Sequence, residues 1–147
     1  MARLAKLPNI VGVKDATGDA TRISHQRDAI GEDFLMLSGD DPLALACMVN
    51  GGHGCISVAS NIAPKLCSEF QVACMSGDFK TALSYQDKLM AIHDVMFVEP
   101  NPGPVKYAAS QLGICSADVR LPLVPLGEDL KKKIDAVVKK LDLKGIA

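Results

Sequence analysis

Three short apolar runs, at residues 10–13, 34–38 and 55–58, alternate with helical patterns, and this alternation limits the possible folds more than any other feature. Ile10, Val11 and Val13 are β-branched and suit a strand buried on both faces, as in parallel sheets. Strand and helix in regular alternation predict parallel α/β units. The first run ends on Lys14, and the turn residues Asp15, Thr17, Gly18 and Asp19 follow at once. Lys14 therefore stands where a strand gives way to a loop, the end of an α/β unit at which ligands bind. An amine at the end of an apolar strand is expected to be partly desolvated. Desolvation favours the neutral form, which can attack a ketone and form a Schiff base. The plainer alternative is a solvated loop charge.

After the first run, Asp19 is placed to cap a helix reaching about Ile30, and Gly31 ends it. Asp41 and Pro42 have the cap-then-proline order of a helix start, followed by the short apolar stretch 43–49. Asn61 is placed to cap a helix reaching about Met75. Ser76-Gly77-Asp78 separates it from a long amphipathic helix over 79–96, with Ala82, Leu83, Leu89, Met90 and Ile92 as its apolar contacts. The proline-rich turn 100–104 precedes a helix over 105–112. Residues 120–125 read as extended, and Ile134, Val137, Val138 and Leu141 mark one face of a last helix over 128–141.

Composition narrows the class further. With 147 residues and 48% hydrophobic content, the chain can build an ordinary core, which excludes a disordered polypeptide. A net charge of -1 provides no general field for nucleic acid or a membrane surface. No apolar run approaches the length of a membrane span, and the apolar part of the start is too short for a secretory signal. The five cysteines are odd in number and lack Cys-x-x-Cys spacing, so they read as reduced structural thiols of a cytoplasmic protein. The three histidines lack zinc-ligand spacing. His53, in Gly51-Gly52-His53-Gly54, reads as a structural loop residue, and His25 and His93 as surface positions on helices. Lys131-Lys132-Lys133 reads as a solvated helix face.

The segment Gly12-Val13-Lys14-Asp15-Ala16-Thr17-Gly18-Asp19 resembles the Schiff-base lysine segment of the dihydrodipicolinate synthase and N-acetylneuraminate lyase family. Leu37-Ser38-Gly39-Asp40-Asp41, Gly51-Gly52-His53-Gly54-Cys55-Ile56-Ser57-Val58 and Arg120-Leu121-Pro122-Leu123-Val124-Pro125-Leu126 resemble segments that follow there in the same order. The match covers nearly all of this chain but only the second half of the family's chain. The resemblance implies an α/β fold: residues 1–76 as the last three βα units of a partial TIM (β/α)8 barrel, and residues 77–147 as a helical C-terminal extension. A complete barrel takes about 250 residues.

The resemblance also implies chemistry. Lys14 would form the Schiff base with pyruvate, the resulting enamine would attack an aldehyde, and no cofactor or metal would be needed. In the synthase that aldehyde is aspartate semialdehyde. Gly39 and Ile56 would be substrate-binding, Gly39 by letting the substrate approach the backbone and Ile56 by lining the keto-acid pocket. Read without the resemblance, Gly39 is equally a turn glycine and Ile56 a core residue. The family's tyrosine proton shuttle, carboxylate-binding hydroxyls and second-substrate arginine belong to its first half, and neither Tyr85 nor Tyr107 lies in a matching segment.

The implied partners are a missing N-terminal half or further copies of the chain, with no nucleic acid and no membrane. Two alternatives stand beside the synthase: another pyruvate-dependent aldolase of the same family, and a silent piece that only binds a partner chain. The Asp15-Ala16-Thr17-Gly18-Asp19 and Arg120-Leu121-Pro122-Leu123 segments favour the synthase. Gly103 departs from the family, standing where a larger apolar residue is common.

Overall fold

The computed structural model describes residues 1–143. Strands β1 (Gly12–Asp15), β2 (Leu35–Ser38) and β3 (Gly54–Cys55) form a parallel sheet in the order β1-β2-β3. The helices are α1 (Arg22–Ile30), α2 (Ala44–Val49), α3 (Pro64–Met75), α4 (Phe79–Met96), α5 (Gly103–Gln111) and α6 (Glu128–Lys140). The predicted alternation is therefore present, with shifted boundaries. β1 starts two residues later than the apolar run and includes Lys14. The third run contributes only Cys55 to the two-residue strand β3, and a 3-10 turn, Ala59–Asn61, follows the run.

The chain divides into two compact units. One comprises residues 1–57 and 71–83 and holds the sheet with α1 and α2. The other comprises 58–70 and the chain from Ser84 onward, and holds α5 and α6.

In the sheet unit the register pairs Lys14 with Leu37 and Leu37 with Gly54. Paired residues share a face and successive residues alternate, so the two faces can be read directly. Val13, Met36 and Ser38 lie on one face, where Val13 and Met36 pack with Ile23 of α1 and Cys47 of α2. The other face carries Lys14, Leu35, Leu37 and Ile56. There Leu35 is 44% exposed, Ile56 is 48% exposed and Lys14 is also exposed. The expectation of strands buried on both faces is corrected accordingly: one face is packed and the other is open. α1 matches its half-covered setting, since only Ile23 and Gln26 of its nine residues are buried.

His53 extends the pairing beyond β3. Its N–H donates to the Met36 carbonyl at 2.8 Å, and its Nδ1 accepts the Met36 N–H at 3.1 Å. Arg27 donates from Nη1 to the Asn50 carbonyl, tying α1 to the end of α2.

In the second unit, Leu89, Ile92, Met96, Ala108 and Ile134 are fully buried, with Leu130 and Val105 close behind. His93 is buried at 4% exposure, which corrects its assignment to the surface. The reason is helical spacing: Gln86, Leu89, His93 and Met96 follow one stripe of α4, and all are buried. Leu83, expected as an apolar contact, is 51% exposed. α6 carries Glu128 and Asp129 in its first turn and Lys139 and Lys140 in its last, the order that suits a helix dipole.

Candidate active site

All three residues singled out from the sequence lie on the open face of the sheet. Gly39 follows β2 by one residue and Ile56 follows β3 by one, so each continues the row that includes Lys14, Leu37 and Gly54. Lys14 and Gly39 are in direct contact. A Cβ placed on Gly39 would lie 2.6 Å from Lys14 Cε and 2.9 Å from both Lys14 Cγ and Ala16 Cβ. No real Cβ comes that close, so glycine is required for the lysine stem to lie where it does. Gly39 donates its N–H to the Asp15 carbonyl at 2.7 Å, and Ile56 donates to the Ser38 carbonyl at 2.8 Å. These bonds extend the sheet ladder past the assigned strands.

Lys14 is exposed, so this chain does not itself supply the desolvation expected from a strand end. On the open face Lys14, Leu35 and Ile56 all reach solvent. The cavity on the packed side, lined by Asp15, Asp19, Ser38, Asp40 and Cys47, is about 20 Å³, the space of roughly one water. Burial pushes the Cys47 thiol up, away from its reactive thiolate form. All five cysteines are free.

Two acidic residues of the strand-end turns serve structure. Asp19 Oδ1 accepts from the N–H and hydroxyl of Thr21 at 2.9 and 2.6 Å, which lowers its pKa. It shapes the turn into α1, and Thr21 is the N-cap. Asp41 is buried, and α2 proper begins three residues later at Ala44. Asp15 reads in the sequence as no more than a turn residue, yet its carboxylate accepts four hydrogen bonds. It accepts from Thr17 and from Arg22 and Gln26 of α1. The signal was the spacing of Asp15, Arg22 and Gln26, which puts two donors on the turn of α1 nearest the strand end. Tyr85 and Tyr107 belong to the other unit, where their hydroxyls donate to Glu69 and Asp135.

Parallel βα units with a lysine stem laid against a glycine at the strand ends define an α/β chain with a candidate amine nucleophile. The sequence matches the profile of the dihydrodipicolinate synthetase family over residues 1–141. The chain belongs to that family. It is 55% identical over 139 residues to the 4-hydroxy-tetrahydrodipicolinate synthase of Cereibacter sphaeroides, covering 95% of this chain and 48% of that protein. It is 60% identical over 128 residues to that of Afipia carboxidovorans, covering 87% and 43%. Among solved structures, dihydrodipicolinate synthase from Aquifex aeolicus superposes with a TM-score of 0.95 at 39% identity, over 100% of this chain and 50% of that one. The chloride-inhibited enzyme from Acinetobacter baumannii, solved in complex with pyruvate, gives 0.91 at 39% identity, over 97% and 49%. The chain thus spans about half the length of the relatives it matches.

Proposed function

We propose that this chain supplies the nucleophile-bearing half of a Schiff-base lyase that condenses pyruvate with aspartate semialdehyde, as in 4-hydroxy-tetrahydrodipicolinate synthase. The observation that carries the reading is the fit of the Lys14 stem against Gly39 on the open face of a parallel sheet. In the proposed reaction the Lys14 amine adds to the ketone carbon of pyruvate, and water leaves to give an imine. The imine draws electrons from the neighbouring methyl group, which loses a proton and becomes an enamine. The enamine carbon then attacks the aldehyde. Gly39 and Ile56 line the keto-acid site in this reading. No metal or dissociable cofactor takes part.

The open face also supports the reading of the sheet unit as the last three βα units of a TIM barrel, with a helical extension after it. In such a barrel the inner face is filled by side chains from all the strands. Leu35 and Ile56 are apolar and half-exposed here. Strands laid over them would bury both and desolvate the Lys14 amine at the same time. The proposed partner is accordingly a chain segment that supplies the other strands, or further copies of this chain, in the cytoplasm. Alone, the chain is expected to turn over negligibly, because a proton shuttle contributes roughly 10²–10⁴-fold to such a reaction. Among the described residues, no helix is long and apolar enough to cross a membrane.

Trapping with pyruvate and borohydride tests the assignment. Mass spectrometry of the digested protein should find the reduced pyruvyl adduct on Lys14, and Lys14→Arg should abolish it, because a guanidinium stays protonated and forms no imine. Label spread evenly over the surface lysines would sink the proposal and leave a silent binding piece as the better account.

A further inference from the structure

Asp15 follows Lys14 in β1, so its side chain leaves the strand on the packed face, away from the amine. Only 8% of that side chain is exposed. Its Oδ1 accepts from the Thr17 N–H and hydroxyl at 2.9 and 2.6 Å. Its Oδ2 accepts from Arg22 Nε and Gln26 Nε2, each at 2.8 Å. One carboxylate therefore ties the end of β1 both to the turn that follows and to α1.

The main chain of the same residue reaches the other way. The Asp15 carbonyl accepts the Gly39 N–H at 2.7 Å, which draws the end of β2 against β1 at the place where the lysine stem crosses. Gln26 shows how firmly the carboxylate commands its surroundings. It is 7% exposed, and its amide is turned so that Nε2 meets Asp15 while Oε1 is buried with no hydrogen-bond partner among the described residues. A buried acceptor without a donor is costly. The opposite orientation would set that oxygen against the carboxylate, so Asp15 imposes the arrangement.

We propose that Asp15 is the positioning residue for Lys14: it clamps the strand end, α1 and the Gly39 backbone together, and so fixes the direction in which the lysine stem carries its amine over the open face. The proposal rests on Lys14 being the nucleophile. It adds that the nucleophile's aim is set from the opposite side of the sheet.

Asp15→Asn is the test. The asparagine keeps one oxygen for Thr17, but its NH₂ faces two donors, Arg22 and Gln26, so the tie to α1 breaks. Borohydride trapping with pyruvate is followed in time, and its amplitude and rate constant are read separately. Competitive acetylation by trace acetic anhydride is run beside it over the alkaline range, with Lys139 as internal reference. A residue that positions the amine should lower the trapping rate constant about ten-fold, within the range that small misplacements cost. The amplitude should hold, the acetylation profile of Lys14 should shift, and Asp15→Glu should restore part of the rate. An unchanged rate constant and acetylation profile overturn the proposal. So does a fall in amplitude alone, which would mean that Asp15 merely stabilises the fold. If the unaltered protein is not trapped at Lys14 while Asp15→Asn still shifts its acetylation, the positioning role stands and the nucleophile assignment fails.

Discussion

The acid limb of the stability curve should be set in large part by Asp15. Desolvation pushes its carboxyl up, but the hydrogen bonds from Arg22 and Thr17 outweigh this and hold it at about 2, against an ordinary 3.8. The folded-state pKa lies below the unfolded one, so the unfolded chain takes up the proton first. The contribution is therefore fully present above the unfolded value and disappears as pH falls through about 2. At roughly 1.36 kcal/mol per pH unit, the gap is worth about 2 kcal/mol. Part of it is screened at high salt, because the Arg22 side chain is 44% exposed. Urea unfolding followed by circular dichroism, on dilute protein at a series of pH values, reads this directly. Asp15→Asn should lose about 2 kcal/mol at neutral pH, and its stability should then fall less steeply on acidification, so that the two curves converge at the acid end. Parallel curves would refute the reasoning, since the carboxylate would then carry no linked proton.

Gly39→Ala should destabilise the chain by about 1–3 kcal/mol and slow trapping at Lys14, because the new methyl meets Lys14 and Ala16 with no room to spare. Thermal unfolding and the trapping rate together check this. Gly103→Ala should behave in the opposite way. A Cβ there meets only the Leu126 side chain, with Cδ2 at 3.0 Å and Cγ at 4.0 Å, beside a cavity of about 290 Å³ into which that side chain can turn. A gain of roughly 0.4–1 kcal/mol is expected from the stiffer unfolded chain, and a loss in the same melting assay would contradict it. The purified chain should self-associate through its open sheet face, where Leu35 and Ile56 stand half-exposed. Light scattering that finds a concentration-independent monomer would rule this out.

The order of elements was legible because apolar runs and turn residues are local signals, but the expected caps lie too early: the N-caps of α1 and α2 are Thr21 and Leu43 rather than Asp19 and Asp41, and Asn61 belongs to the 3-10 turn ahead of α3. The long helix α4 was expected over 79–96 and occupies Phe79–Met96. Which face of the sheet is packed was not legible, since Ile10, Val11 and Val13 read the same whether one side or both are covered. The third strand was overestimated for a similar reason. Ile56 and Val58 have strand character, but only Gly54 and Cys55 stand in register pairs with β2, Ile56 adds a single hydrogen bond to Ser38, and the chain turns at Ala59. His93 could have been placed correctly from its spacing to Leu89 and Met96, a stripe that outweighs the polarity of one ring. Lys14 and Gly39 were visible as candidates, but their contact was not. It depends on a parallel register that pairs positions 23 residues apart, as in Lys14↔Leu37. Asp15 was overlooked as a hub because turn residues are ordinarily solvated, and its partners come from the next helix.

The two edges of the sheet differ in the length of their ladders, and this bears on motion. β1 is joined to β2 by four register pairs, from Gly12↔Leu35 to Asp15↔Ser38, whereas β3 is joined by two, Leu37↔Gly54 and Ser38↔Cys55. Shorter ladders open at lower free energy. The β3 edge should therefore breathe first, and the amide protons of His53 and Ile56 should exchange with solvent ahead of those of Leu35 and Gly39. One wall of the site is then stiff and the other compliant: the amine is held on a strand that stays shut, while the side chain opposite it can yield to the shape of whatever enters.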